Sequence, residues 1–331
     1  MQELLGSPPG WLHVLIFFVA GAGLLAIVLG FVTYAILADR KVIGFMQLRI
    51  GPNRVGGRFG LLQTVADVFK LLIKEDTIPK RADKPLYVLA PVIAFTPSFA
   101  VLAAIPFSSH LQFADLGVGL LYYMSVSGIT TVGILTGSWA SNNKYALIGG
   151  MRAVAQMISY EIPLVMSVIG VIMLAGSLNL VDIVRAQDVL PFFILQPLGF
   201  VIFIISALAE LSRTPFDLPE AESELVAGYH TEYSGFRWAF FMLTEYVYMF
   251  GMAALTTVLF LGGWLPLPGL GFIPGIVWFS LKFMIVVFFL VWLRATFPRL
   301  RSDQLMEFAW KVLLPAALAN IFITALFKEL F

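Results

Sequence analysis

Between Glu210 and Glu232 the chain places six of its 20 acids within 23 residues: Glu210, Asp217, Glu220, Glu222, Glu224 and Glu232. Arg213 is the one base among them. In the run TPFDLPEAESELVAGYHTEYSGF, which begins at Thr214, carboxylates two and four residues apart repel one another. Groups coupled in this way titrate as a set, and some are held protonated near neutral pH. An apolar stretch flanks the segment on each side. Carboxylates placed beside a bilayer can move or sense protons; a solvated acidic loop is the plainer alternative.

Further ionisable residues fall where charge is costly. Glu161 sits about six residues into an apolar run, roughly 9 Å deep at 1.5 Å per residue. Pro163 follows it and should kink the helix, having no N–H for the carbonyl of Ser159. Glu245 lies about nine residues into another run, too deep for a short side chain to reach water. Glu210 closes a third run. Ionisable groups at such depth usually face the bundle interior or a water-filled cavity. One on each of three spans, Glu161, Glu210 and Glu245 would form an inward-facing carboxylate ladder, although Glu161 can also be read as an end residue reaching for the interface. Lys282 is a possible partner charge, or a lysine that reaches outward on its long stem.

The elements that must position these groups are membrane helices. The chain has 331 residues, 60% of them hydrophobic and 12% charged, with a mean hydropathy of +0.91. Soluble domains carry about a quarter charged residues, so a soluble globule is excluded. Eight apolar stretches approach or exceed the length needed to cross ~30 Å of hydrocarbon. They are Trp11–Leu37, Leu86–Ile105, Leu120–Ala140, Met157–Leu174, Pro191–Ala209, Trp238–Leu261, Ile276–Leu293 and Val312–Phe327. Runs of this length satisfy their backbones as helices rather than barrel strands. The expectation is an all-α, polytopic transmembrane bundle of eight spans, forming a single domain over residues 1–331. The first span does not read as a cleaved signal peptide: no Lys or Arg precedes it, and Arg40–Lys41 follows as a stop-transfer flank.

Basic residues set the expected orientation. The segment between spans one and two holds Arg40, Lys41, Arg49, Arg54, Arg58, Lys70, Lys74, Lys80, Arg81 and Lys84. The loops after spans three, five and seven hold Lys144 and Arg152, Arg213 and Arg237, and Arg294, Arg299, Arg301 and Lys311. That puts 18 of the 21 Lys and Arg on one side. Both termini should face outward, and the four large loops, including the acidic segment 210–237, should be cytoplasmic.

Within the first loop, residues 60–75 read as a helix lying in the interface. Leu61, Leu62, Val65, Val68, Phe69 and Leu72 recur at helical spacing, with Gln63, Asp67, Lys70 and Lys74 on the other face. It either ties the loop to the membrane surface or walls an entrance for a lipid-soluble ligand. Ahead of it, Gly51, Pro52 and Asn53 are turn chemistry. Arg49, Arg54 and Arg58 line either a basic turn or an anion site.

Cofactor chemistry within the chain is narrowed sharply. There is no cysteine, so no iron–sulfur ligand, thiolate zinc site or disulfide. The three histidines are not placed to clamp a haem, and no nucleotide-binding glycine pattern occurs. No metal site, covalent cofactor, nucleic-acid partner or catalytic residue acting in the isolated chain is expected. Two function classes fit. One is a proton-coupled secondary transporter, which commonly shows paired internal repeats; none is evident between the two halves. The other is a coupling subunit of a redox-driven pump, and long loops on one side favour docking to a partner.

The chain resembles the quinone-binding membrane subunit of proton-pumping NADH:quinone oxidoreductase, respiratory complex I, from about Phe31 to Glu329. The resemblance is carried by QLRIGPNRVG from Gln47, GLLQTVADVFKLLIKED from Gly60 and SNNKYALIGGMRAVAQMISYE from Ser141. TPFDLPEAESELVAGYHTEYSG from Thr214 and FPRLRSDQLMEFAWK from Phe297 complete it. It implies a narrow tunnel for ubiquinone or menaquinone, entered beside the first span, the sixth span and the interfacial helix. It implies FMN and iron–sulfur clusters on partner subunits, with an iron–sulfur subunit next to the quinone site. Other membrane and hydrophilic subunits of the complex, and membrane lipids, would be the partners, in the inner (plasma) membrane. Asp217, Glu220, Glu222, Glu224 and Glu232 would face those partners at the chamber, and Glu161, Glu210 and Glu245 would link it to the proton-translocating arm. Arg40, Arg294 and Arg299 match basic positions around the cavity. Asp39 departs from the family, where glutamate is common, and the third span lacks a carboxylate that some relatives carry. A related complex with another electron donor is the alternative.

Overall fold

The computed structural model describes residues 11–109, 111–219, 222–266 and 272–330. All of the regular structure among them is helical. The first helix, α1 (Trp11–Met46), runs 36 residues, well past the expected end at Leu37. At about 54 Å it overreaches a ~30 Å hydrocarbon layer, so its last turns carry Asp39, Arg40 and Lys41 beyond the apolar run. A turn with Leu48 in the left-handed region then reverses the chain. The interfacial helix α2 (Gln63–Ile73) is shorter than the expected 60–75, because residues 60–62 form turns.

Next come α3 (Lys84–Ala100), extended by a 3-10 turn over Val101–Ala104, and a pair, α4 (Gly119–Ser127) and α5 (Ile129–Ala140), joined through Gly128, whose backbone angles stay helical. The long α6 (Lys144–Ala175) is capped by the Asn143 side chain and terminated by left-handed Gly176. It begins well before the expected Met157, so Lys144 and Arg152 are helical rather than in a loop, and Glu161 lies near the helix middle rather than close to its end. Short helices α7 (Leu180–Arg185) and α8 (Phe192–Leu195) lead to α9 (Pro197–Glu210). A helical turn, α10 (Glu222–Leu225), precedes α11 (Gly235–Phe260) and α12 (Gly275–Thr296). The chain ends in α13 (Ser302–Glu307), a π-helical stretch over Phe308–Leu313 and α14 (Leu314–Leu330).

Seven helices among the described residues are long and apolar enough to cross a membrane. The fifth expected span, Pro191–Ala209, is not one of them. It is broken at Gln196, whose φ of −131° and ψ of 62° lie outside the helical region. The residue before a proline is disfavoured in the α region, and Pro197 supplies no N–H. What remains is the 14-residue α9, about 21 Å long. The count of eight full-length spans therefore reduces to seven plus one short, interrupted helix.

The bundle is built around α11. In its most apolar window 89% of residues are buried, against 6% for α1, which lies at the periphery against α11 and α12. Small residues allow the tightest approaches, as is usual between membrane helices. A methyl group on Gly133 of α5 would meet the backbone of Ala94 in α3 at 2.5 Å. One on Gly149 of α6 would meet the Gly228 backbone at 2.8 Å, so the acidic segment rests directly on α6. Hydroxyls in the apolar helices return their protons to carbonyls one turn back, as Thr244 does to Phe240 and Thr256 to Met252.

Candidate functional site

The turn after α9 is fixed by Gln156 of α6, which is 1% exposed. Its Nε2 donates to the Ala209 carbonyl at 2.8 Å and to the Phe216 carbonyl at 2.7 Å, closing the chain into a buried loop. Leu300 N donates to the Pro215 carbonyl at 3.1 Å, bringing the segment after α12 over the same loop. Two distant basic positions are thereby delivered to the acids.

The result is a chain of paired charges. Arg299 Nη2 donates to Asp217 Oδ2 at 2.9 Å. Arg294 Nη1 donates to Asp39 Oδ2, and Tyr246 Oη donates to the same oxygen at 2.9 Å. The Arg213 guanidinium lies over the Tyr246 ring, 4.7 Å from its centre, and its Nε donates to Glu245 Oε1 at 2.8 Å. Burial alone would weaken the charge on Arg213, but Glu245, Tyr246 and Asp39 around it hold its pKa above the ordinary value. Burial pushes Asp217 upward, against the hydrogen bond and charge of Arg299. Both Nη groups of Arg213 are buried with no hydrogen-bond partner among the described residues. A guanidinium in that position can exchange partners without leaving the protein.

Beyond Glu245 the chain of groups continues through a cavity of about 40 Å³, lined by Thr130, Glu210, Thr244, Glu245 and Tyr248 among others. That is room for roughly three waters. Glu210 is 4% exposed, and its Oε1 accepts from Tyr248 Oη at 3.2 Å. Glu161 is within electrostatic reach of Glu210, and its Oε1 lies 3.1 Å from where a methyl group on Gly128 would sit. The absence of a side chain at Gly128 thus makes space for this carboxylate. Glu161, Glu210 and Glu245 do converge.

Among the described residues, Asp217, Glu224 and Glu232 of the acidic segment are not held against one another. Each described one has a separate partner: Asp217 has Arg299, Glu224 has Arg152 at 2.6 Å, and Glu232 accepts from Asn143 Nδ2 at 2.5 Å. The segment folds over α6, and these three acids point to different neighbours; the pairs two and four residues apart all include Glu220 or Glu222. Glu220 and His110 lie outside the described residues, as does the side chain of Glu222.

Other positions separate from the buried chain. Arg40 pairs with Asp67 at 2.6 Å on the surface, and Gln63 Nε2 donates to Asp67 Oδ1 at 3.4 Å, joining α1 to α2. Lys70 and Lys74 are exposed, as are Val68, Phe69 and Leu72 on the opposite side of α2. Lys282 Nζ donates to the carbonyls of Gly263 and Leu265, at 3.2 and 2.8 Å, rather than to a carboxylate. Among the described residues no three His, Asp or Glu side chains gather as a metal site.

A second joint ties the acidic segment to the first loop. Tyr87 and Tyr233 stack with centres 4.2 Å apart, Arg237 pairs with Asp76 at 3.1 Å, and Thr77 Oγ1 lies 3.1 Å from Ser234 Oγ. Beside it His230 packs against the Tyr229 ring, and burial pushes its pKa down to about 4.

Sequence reasoning left out Arg213, Tyr246, Tyr248 and Gln156 as site residues. A lone base inside a run of acids was the available signal for Arg213. The tyrosines flank Glu245 on α11 but resemble interface aromatics, and nothing local marks Gln156.

A family model described as NADH dehydrogenase matches residues 19–325. The chain is 74% identical over 331 residues to the H subunit of NADH-quinone oxidoreductase from Anoxybacillus flavithermus (strain DSM 21510 / WK1), covering 100% of this chain and 99% of that one. It is 73% identical, with the same coverage, to the protein of that name from Bacillus cereus (strain B4264).

Proposed function

The chain belongs to the NADH dehydrogenase family as the H subunit of NADH-quinone oxidoreductase, a multi-pass membrane protein, and from that premise we propose that it forms the quinone chamber and couples quinone reduction to proton movement. The observation that carries this reading is the line of groups from Arg299–Asp217 and Arg294–Asp39, through Tyr246 and Arg213, to Glu245, Glu210 and Glu161. Reducing a quinone to a quinol consumes two electrons and two protons. The electrons would come from an iron–sulfur cluster on a hydrophilic partner, itself supplied through FMN, since this chain has no cysteine.

The chain's own residues would do three things. The exposed apolar side of α2, beside α1 and α11, would admit a lipid-soluble quinone from the bilayer. Asp39 and Asp217, each held by an arginine, would surround the head group with paired charges. Reduction of the head group would place negative charge near the Arg213–Glu245 pair until two protons arrive from solvent, and the field change would reach Glu210, which has no cation paired to it among the described residues. The acidic loop would face cytoplasmic partners, both termini would lie outside, and the membrane would be the plasma membrane.

A photoreactive quinone added to the intact complex tests the reading. It should label this chain within residues 47–84 or 210–237, and hydrophobic quinone-site inhibitors should protect those peptides. Absence of label, with solute-coupled flux by the reconstituted lone subunit, would establish a transporter instead.

A further inference from the structure

Away from the acidic chain, at the same end of the bundle, a groove of about 720 Å³ opens where three helix ends meet. Its lining includes Arg81 and Asp83 before α3, Trp139 at the end of α5, and Asn142, Lys144 and Leu147 at the start of α6. Two hydrogen bonds build its floor. Asp83 N donates to the Ala140 carbonyl at 3.0 Å, and Asn142 Nδ2 donates to the Arg81 carbonyl at 3.0 Å. These bonds hold Arg81 beside the first turn of α6. Asn143 Oδ1 accepts from Tyr145 N, while the amides of Lys144 and Ala146 have no acceptor within the helix by position.

Three properties of the groove select a ligand class. Its lining is net basic: Arg81 and Lys144 stand against Asp83, with Lys80 and Lys84 next to the lining residues in sequence and Glu232 held behind Asn143. Anions favour both a helix N-terminus and the planar fork of an arginine. Trp139 is 68% exposed at the end of a membrane-length helix, the level at which tryptophan partitions between headgroups and hydrocarbon. From the groove, Ile148 and Met151 continue along α6 as exposed apolar side chains, 45% and 60% accessible. A soluble anion would use the first property only. A lipid uses all three.

We propose that this groove binds the headgroup of an anionic phospholipid, with its phosphate between Arg81, Lys144 and the first-turn amides of α6 and its acyl chain along Ile148 and Met151. Basic pockets between membrane helices are suited to such headgroups. The groove shares Asn143 with the acidic segment through its bond to Glu232, so the lipid would lie one residue from a carboxylate of the functional loop.

The test uses the intact complex in phosphatidylcholine nanodiscs containing a photoreactive phosphatidylglycerol, with labelled peptides mapped by mass spectrometry. Label is expected within residues 139–151, displaced by excess phosphatidylglycerol but not by phosphatidylcholine or inorganic phosphate. The Arg81→Gln/Lys144→Gln variant should lose roughly tenfold or more of the label, and Arg81→Lys/Lys144→Arg should keep it. Equal displacement by phosphatidylcholine, displacement by inorganic phosphate, or cross-linking of Trp139 peptides to a partner subunit in place of lipid would each overturn the proposal. If the glutamine variant does not assemble, the competition in the unaltered complex decides.

Discussion

Arg213 and Glu245 are joined at 2.8 Å, the guanidinium 1% and the carboxylate 18% exposed, although one sits in a loop and the other inside α11. Removing one member of a buried pair typically costs about 3–5 kcal/mol, because the other is left uncompensated. Arg213→Met should therefore lower the thermal midpoint of the complex and its quinone reductase rate. Arg213→Met/Glu245→Gln should recover part of the stability. Strictly additive losses in a double-mutant cycle would show that the two do not act as a unit.

Asp39 is enclosed by Tyr246 and Arg294. Asp39→Asn removes the charge that Arg294 answers, and quinone reductase activity should fall by an order of magnitude or more. Asp39→Glu adds one methylene in a site 2% exposed, but Arg294 is about a third exposed and can withdraw. This substitution should cost no more than about 1–3 kcal/mol of stability and retain most activity. Equal losses in the two variants would make side-chain volume, rather than charge, the requirement.

Glu210 lines the cavity and Glu161 is within electrostatic reach of Glu210, neither with a paired cation among the described residues. Glu210→Gln preserves shape and the bond from Tyr248, so assembly should be normal. Proton pumping, read as quenching of a pH-sensitive dye in inverted vesicles, should drop well below the residual quinone reduction. The same holds for Glu161→Gln. Wild-type pumping in both variants would reduce these carboxylates to structural roles.

His230 offers a pH test outside the membrane helices. Burial depresses its pKa from 6.5 to about 4, so the unfolded chain takes up a proton that the folded loop refuses. Stability of the loop should be fully present above pH 6.5 and should decline as pH falls toward 4, by about 1.4 kcal/mol per unit at most. Hydrogen exchange of residues 226–234 at pH 7 and pH 4.5 should reveal the opening, and His230→Phe should flatten the difference. An unchanged pH dependence in that variant would assign the effect elsewhere.

The proposed orientation rests on the 18 of 21 basic residues assigned to one side. A reporter active only in the cytoplasm, fused after Phe331, should be silent, and one inserted near Arg54 should be active. A bright C-terminal fusion would reverse the arrangement or change the number of crossings.

The sequence by itself determined the class of protein: apolar runs of membrane length leave helices as the way to satisfy the backbone, and the absence of cysteine removes metal ligation by thiolate. It also marked Glu161, Glu210 and Glu245, since a carboxylate inside an apolar run is conspicuous in one dimension. The break in the fifth span was foreshadowed by Gln196–Pro197, but composition treats a broken helix and a straight one alike. The partners of the charges were decided only by tertiary structure. Asp39 and Arg294 are 255 positions apart, and Arg213 and Glu245 are 32 apart. Spacing along the acidic segment suggested that its carboxylates repel one another, because local sequence reports neighbours along the chain. Folding over α6 gave Glu224 to Arg152 and Glu232 to Asn143. A buried charge is stabilised by whatever the bundle brings within a few ångströms of it, and that is a property of helix packing, which no local pattern encodes.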